Sequence, residues 1–283
     1  MASGHDAMLV EMLTQGGRRD ILAPHFSFRS LPSREADADA FCEIARLRYQ
    51  VYCAECRFLD EKDFPAGLET DDYDSRSLHV SAQTQDGALV GTVRLVLGAA
   101  REAFPFEGRC AVFPAFERPP REQCAEVSRL IVKKDFRRRP GDNLQGVTRD
   151  FQADGKAEDI APSAKPLIAM RKERRRSSPQ IMLGMYREMY RYSRQHGIRY
   201  WYAAMEKGLA RLLDRMGFHF VPVGPETDYY GPVTTYIADL RQAEKALESA
   251  NRFLFAWFRD EPISDWLLVK TIVKYKLGHL GKL

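Results

Sequence analysis

Long hydrophobic runs are missing from this 283-residue chain. No stretch of about 18 apolar residues occurs, so a membrane-spanning helix is not expected. The opening MASGHDAMLVEMLTQGGRRD lacks a basic region leading into an apolar core, which leaves a cytoplasmic location as the expectation. Cysteine is scarce: five in all, an odd count that argues against a disulfide framework. Cys53 and Cys56 form a CxxC inside a helical pattern, without a second pair or paired histidines to complete a zinc site. Buried thiols are therefore favoured over metal ligands, and no metal is expected. Neither a groove-reading helix nor a basic sheet interleaved with aromatics is evident, so nucleic acid is not an expected partner.

What is present suits a folded protein. Hydrophobic residues make up 45% and charged residues 29%, and the length allows one large domain, alone or with appendages. The net charge of +4 is unevenly placed. Acidic residues gather before residue 75, while bases cluster in KKDFRRR (133–139) and RKERRR (171–176). Such asymmetry fits a polyanionic partner, and it also fits a solvated charge run.

Periodicity sets the element order. Residues 1–35 read as an N-terminal extension with a leading helix and a loop. From Ala38 to Phe58 the pattern is helical, with Phe41, Ile44, Leu47 and Val51 three or four apart. Arg48 and Tyr52 lie one turn apart there, Arg48 edging the apolar stripe. The period then changes to two: Leu78, Val80 and Ala82, a QDG turn, and a return through Leu89–Leu97 that places Arg94 between two valines, an antiparallel hairpin. CAEVSRLIVKK is the third strand. Residues 137–178, rich in Gly, Pro, Asp, Lys and Arg, read as a basic loop insert, long and functional or partly disordered. Helix, strand, helix and two strands follow to residue 240. The whole is a mixed α/β layer structure over residues 36–240, with a helical extension over 241–283.

Two clusters of chemistry stand out. LETDDYDSRS (68–77) packs Glu69, Asp71, Asp72 and Asp74 beside Tyr73. It reads as a solvated loop, a hard-metal site or half of an active site. The tail holds FLFAWF (253–258) and WLLVKTIVKYKLGHL (266–280), apolar with Lys270 and Lys274 one turn apart. Packing on the domain or on a second subunit is favoured for it over peripheral contact with a membrane.

Arg48 with Tyr52, then Phe58, then Glu69, Asp71 and Asp74 in LETDDYD, then Arg94 in GTVRLVL, then Glu126 and Arg129 in EVSR, resembles the acyl-homoserine-lactone synthases. The set looks closer still to their relatives, the N-acyl amino acid synthases and the PEP-CTERM/exosortase system-associated acyltransferases. The resemblance covers residues 38–135 by motif and continues loosely to about 240. It implies a GNAT-like acyl-CoA N-acyltransferase fold: a mixed central sheet with a splayed, bulged central strand, flanked by helices. It also implies transfer of a medium or long fatty acyl chain to an amine. The donor would be the phosphopantetheine thioester of acyl carrier protein, or acyl-CoA, with no permanently bound cofactor. The acceptor would be an amino acid or a similar small molecule, or S-adenosylmethionine in the lactone branch. Tyr52 and Phe58 stand where the lactone synthases hold Phe and Trp, which argues against S-adenosylmethionine. A non-catalytic module that senses acyl carrier protein or lipid remains a reading from another class.

The resemblance makes Glu126 the base, directly or through water; without it, a strand glutamate facing solvent is the plainer reading. Arg94 and Arg129 either pair with Glu69, Asp71 or Asp74, or clamp the acceptor's carboxylate. Arg48 joins that cluster, leaving Asp72 and Tyr73 as bystanders. Tyr52, Phe58, Phe104, Phe106 and Phe113 are the candidate acyl-pocket residues. Arg137, Arg138 and Arg139 are candidates to meet acyl carrier protein. A regular strand points Glu126 and Arg129 to opposite faces, so a shared site predicts a β-bulge near Val127 or Ser128.

Overall fold

The computed structural model describes residues 25–136 and 178–271, apart from 216 and 268. A seven-stranded mixed sheet runs through it: β1 (Phe26–Leu31), β2 (Ser77–Thr84), β3 (Leu89–Leu97), β4 (Cys124–Val132), β5 (Tyr200–Met205), β6 (Val221–Asp228) and β7 (Pro232–Asp239). The spatial order is β1-β2-β3-β4-β5-β7-β6, antiparallel throughout except for the central β4–β5 pair. β1 lies within the 1–35 segment read from sequence as helix and loop. Six residues around two phenylalanines are too short a signal to separate from an apolar loop, and pairing with β2 supplies the rest.

One face of the sheet carries the main core. Leu78, Val80 and Ala82 of β2, Val93 and Leu95 of β3, and Ala125 and Val127 of β4 all look this way. Helix α1 (Ala38–Tyr49) lies elsewhere, and this face is covered by α2 (Ser178–Gln195) through Ile181, Met182, Met185, Tyr186 and Met189. Their spacing of three and four forms the apolar stripe that a helix needs to lie on a sheet. Gly184 lets α2 come close to β1, since a Cβ there would sit 2.0 Å from the Phe28 ring. Helix α3 (Lys207–Arg215) adds Leu209, Ala210 and Leu213.

The chain beyond residue 240 shares this core. Helix α4 (Leu240–Ala250) inserts Leu240, Ala243 and Leu247, and α5 (Arg252–Arg259) inserts Phe253, Phe255, Ala256, Trp257 and Phe258. The FLFAWF stretch is thus packed on the domain. Arg187 of α2 pins it, donating from Nε to the Trp257 carbonyl at 2.7 Å with its guanidinium 4.4 Å from that indole. None of the helices among the described residues is long and apolar enough to cross a membrane.

The opposite face is polar at its centre. Ser77, His79 and Ser81 of β2 alternate with the core residues, as do Thr92 and Arg94 of β3. Over this face lies α1, begun by Asp37, whose carboxylate accepts the Ala40 N–H at 3.0 Å. The helix predicted to Phe58 is α-helical only to Tyr49 and continues as a π-helical turn over Gln50–Glu55. Such a turn inserts one residue into the helix and so rotates the side chains beyond it.

Two irregularities shape the sheet's centre. β4 pairs with β5 only from Cys124–Tyr200 to Glu126–Tyr202; beyond that the strands splay, and the remainder of each runs on without the other. On its other side, β4 shifts register against β3, Arg94 pairing with Ser128 but Thr92 with Ile131. The extra residue lies at Arg129, whose φ of 52° is left-handed. The strand is bulged as a shared site requires, one position beyond where the sequence placed it.

Candidate active site

The bulge decides where side chains point. Ala125 and Val127 face the main core, and Leu130 and Val132 do so again after the bulge. Cys124 and Ile131 belong to small clusters on the other face. Glu126, Ser128 and Arg129 therefore all project toward the polar side, two successive residues doing so because Arg129 adopts φ > 0. A non-glycine residue in that conformation carries strain, which surrounding contacts must hold in place.

Arg129 is held by a fork. Its Nη2 donates to Glu69 Oε1 at 2.9 Å, its Nε lies 3.2 Å from both Glu69 oxygens, and Nη2 also reaches Asp71 Oδ2 at 3.2 Å. Glu69 is buried and accepts a second arginine, Arg48, through its Nε. Arg48 Nη1 donates to Asp74 Oδ1 at 2.7 Å, and Arg94 Nη1 donates to the same oxygen at 2.8 Å. Arg94 also pairs with Asp71, and its Nε donates to Ser128 Oγ at 3.0 Å. Three arginines and three carboxylates from α1, the acidic loop, β3 and β4 thus form one continuous network. Its charges balance, which makes burial tolerable.

The acidic loop is shaped by its own side chains. Asp71 caps the 3₁₀ turn over Asp72–Arg76, accepting the Tyr73 N–H at 3.0 Å, while Asp74 Oδ2 accepts the Asp71 N–H at 2.9 Å. This reciprocal cap turns Asp74 inward and leaves Asp72 exposed. Tyr73 is no bystander: the Arg94 and Arg76 guanidinium carbons lie 5.9 and 5.2 Å from its ring centroid.

Electrostatics separates the carboxylates into two kinds. Burial pushes Glu69 up, but Arg48 and Arg129 outweigh it and hold the group at about 2. Asp74 is likewise raised by burial and brought well below the carboxylate range by Arg48 and Arg94. Glu126 goes the other way. Buried between its ladder neighbours Val96 and Tyr202, it is pushed up to about 8, although the Phe106 N–H, Arg94 and Arg129 each pull it down. The Phe106 N–H lies 3.1 Å from Glu126 Oε2. That N–H is aimed by a 3₁₀ turn over Pro105–Gly108, in which Glu107 accepts the Phe104 N–H at 2.8 Å and is clamped by Arg121 at 2.8 and 2.9 Å.

His79 adds a fourth titrating group. Its Nε2 lies 3.3 Å from the Asp74 carbonyl, its ring meets Phe41 edge-on, and burial lowers it to about 4. Acid should therefore unfold the protein in two steps of protonation. A depressed histidine contributes stability that is lost as pH falls from about 6.5 to 4, and Glu69 loses its share from about 4.5 toward 2. Glu126, raised to about 8, gains stability as pH falls and opposes His79 between about pH 6.5 and 4.5, so urea midpoints should stay nearly level there and fall below about pH 4.5. In His79→Phe the opposing histidine is gone, so midpoints should rise as pH falls from 7 to about 4.5 and then decline as in wild type.

The candidate acyl-pocket residues divide. Phe104 and Phe106 stack at 6.2 Å and pack on Tyr202 at 5.7 and 5.0 Å, on the Glu126 side. Tyr52 and Phe58 form a second group on the Arg129 side, with the Arg129 guanidinium 5.3 Å from the Tyr52 ring. Phe113 belongs to neither. It is 46% exposed because its segment runs along β6, its N–H donating to the Val223 carbonyl, and this corrects its assignment to the pocket. Arg137, Arg138 and Arg139 lie outside the described residues.

The tip of the β6–β7 hairpin joins the two aromatic groups. Tyr229 packs with the Phe104–Phe106–Tyr202 cluster, while Tyr230 meets Phe58 at 5.6 Å. Tyr230 (φ 56°) and Gly231 (φ 110°) are both left-handed, and the two tyrosine rings lie side by side with centroids 4.7 Å apart. The pair therefore spans from the Glu126 side to the Arg129 side. Sequence reasoning missed both, and its only available signal was the turn-forming DYYG between two strands.

Residues 47–145 match the family model for the acetyltransferase (GNAT) domain. That match spans about a third of the chain, and together with the seven-stranded sheet it shows a GNAT-type fold. No curated protein matches the chain. Among solved structures, TofI in a ternary complex with an inhibitor and MTA is 17% identical over 78% of this chain and 96% of its own, with a TM-score of 0.52. BjaI, a CoA-dependent acyl-homoserine lactone synthase solved with MTA, is 20% identical over 80% and 88%, with a TM-score of 0.51. FeeM, an N-acyl amino acid synthase from uncultured soil microbes, is 14% identical over 79% and 95%, with a TM-score of 0.40, too loose to carry an argument. The first two likenesses establish a shared fold: the seven-stranded mixed sheet with its splayed and bulged β4 is the GNAT-type sheet.

Proposed function

We propose that this GNAT-type domain transfers a medium or long fatty acyl chain from a thioester, on acyl carrier protein or CoA, to the amine of an amino acid or similar small molecule. The observation that carries the reading is Glu126. A buried carboxyl held near 8, beside the gap where β4 leaves β5, is matched to taking a proton from an amine. Aminolysis needs no protein nucleophile: an amine placed against the thioester carbonyl attacks it directly. The new amide bond forms as the carbon–sulfur bond breaks, the amine's proton passes to the ionised Glu126, and sulfur leaves as thiolate that is then protonated by Glu126 or solvent. Past Glu126, β4 offers its backbone to the gap without a β5 partner, where N–H groups are available to a developing oxyanion.

The arginine–carboxylate network would hold Arg129 and the bulge in register for this work. The flanking aromatics supply apolar surface suited to an acyl chain. Homoserine-lactone synthesis from S-adenosylmethionine is the second reading, favoured by one observation: BjaI, of like fold, is a CoA-dependent acyl-homoserine lactone synthase. Mass spectrometry of lipid extracts from cells producing the protein separates the two, because the product mass names donor and acceptor together. An N-acyl amino acid present with wild type and absent with Glu126→Gln supports the proposal. An acyl-homoserine lactone in its place replaces it with the second reading.

A further inference from the structure

Among the described residues, four other than glycine hold a left-handed backbone: Arg57 (φ 52°), Arg129 (φ 52°), Tyr230 (φ 56°) and Asp260 (φ 59°). Asp260 ends α5, where this conformation is an ordinary way for a helix to stop. The other three come from distant parts of the chain and meet at one place. Arg57 turns the chain out of the π-helical segment and sets Phe58 back over it, the Phe58 N–H donating to the Tyr52 carbonyl at 2.8 Å. Phe58 then lies 6.4 Å from the Tyr52 ring and 5.6 Å from the Tyr230 ring, and the Arg129 guanidinium lies 5.3 Å from the Tyr52 ring. Strained backbone persists where surrounding structure enforces it, and it collects at active sites and ligand clamps.

The Tyr230 side chain does little for the fold to offset that strain. It is 38% exposed, and the hairpin tip closes without it: the Tyr229 N–H donates to the Gly231 carbonyl at 2.9 Å, and Asp228 Oδ1 accepts the Gly231 N–H at 3.1 Å. Glycine would hold this φ at no steric cost. What the ring supplies is an apolar wall against Phe58, beside the arginine of the network that reaches the surface. The Arg129 side chain is 17% exposed, against 1% for Arg48 and Arg94. Its Nε and Nη2 serve Glu69 and Asp71, and among the described residues Nη1 has no hydrogen-bond partner. A guanidinium edge next to an aromatic wall fits a molecule that carries a carboxylate and an apolar side chain together. The rings on the Glu126 side belong instead to an apolar cluster with Val96, Val223 and Val233, which suits a hydrocarbon chain.

We infer that Tyr230 is a specificity-determining residue: with Phe58 and Tyr52 it clamps the apolar side chain of an acceptor amino acid whose carboxylate Arg129 Nη1 binds. The inference rests on the acyl-transfer reading and adds the acceptor's class to it. The test is acylation of leucine, phenylalanine and glycine in competition, with octanoyl and palmitoyl thioesters of CoA and of acyl carrier protein as donors. Calorimetric binding of phenylalanine without donor accompanies it. Wild type should favour leucine and phenylalanine over glycine. Tyr230→Gly should reduce both that preference and the affinity for phenylalanine about tenfold, as the loss of one apolar wall implies. Tyr230→Phe should keep both. The urea midpoint of Tyr230→Gly should equal or exceed that of wild type, since the substitution relieves a strained φ. No preference in wild type, preference and binding unmoved by Tyr230→Gly, a shift in acyl-chain preference instead, or a marked fall in urea midpoint would overturn the inference and leave acyl transfer standing. Binding of phenylalanine that depends on Tyr230, without acylation of any amine, would overturn acyl transfer and support the clamp.

Discussion

Arg48→Leu should destabilise the fold by about 3–5 kcal/mol, the usual range for removing one partner from a buried ionic network. Arg48 is fully buried and bonds both Glu69 and Asp74, so its loss leaves two buried carboxylates facing only two arginines. Glu69 keeps Arg129, and Asp74 keeps Arg94, which preserves part of the network. The deficit should appear at neutral pH, where both carboxylates are ionised, and shrink as pH falls through the carboxylate range. Urea denaturation at pH 7 and pH 4 measures it. Arg48→Lys should recover only part of the loss, because one ammonium cannot copy a planar donor that bonds from Nε and Nη1 at once. A loss under about 1 kcal/mol at pH 7 would mean that the cluster does not hold the face together.

Glu126→Gln should do the opposite to stability and the worse to turnover. A carboxyl raised from about 4.5 to about 8 on folding costs stability wherever the unfolded chain is ionised and the folded one is not, so stability declines as pH rises through that window. The amide cannot ionise and escapes the cost. At pH 8 the variant should be more stable than wild type by about 1–3 kcal/mol, and near pH 4 the two should agree. Turnover should fall by roughly 10²–10⁴, the usual contribution of a positioned base. A catalytic group that strains its own fold has this signature, whereas a structural glutamate would lose stability when changed.

Much of the network could be read from the chain before any coordinates. Arg48, Glu69, Asp71, Asp74, Arg94 and Arg129 were expected as one set, and the structure brings all six together. Period-two alternation placed Arg94 on one face of β3, and the need for Glu126 and Arg129 to share a face foretold the bulge. Its position was off by one, since strand pattern does not show which residue of a short polar run turns left-handed. Ser128 and His79 were missed because a small hydroxyl and an alternating histidine look the same in sequence whether buried or solvated. Tyr73 escaped because its contact depends on the reciprocal Asp71–Asp74 cap, a local geometry without a periodic signature. Tyr229 and Tyr230 reach the site from about 100 residues away, a meeting that sheet order creates. Phe113 was placed by composition alone, and backbone pairing along β6 carries it outward.

The central claim is that Glu126 accepts the amine's proton during thioester aminolysis. The most direct measurement is kcat/KM for thiol release coupled to amide formation, monitored from pH 6 to 9.5 in wild type and in Glu126→Gln. In wild type the loss of the Glu126 proton adds to the amine's own ionisation, so the rate should climb more steeply below about pH 8, bend there, and follow the amine alone above it. In Glu126→Gln that bend should vanish and the residual rate should track only the amine's own ionisation. The same bend in both proteins, at comparable rates, would contradict the account.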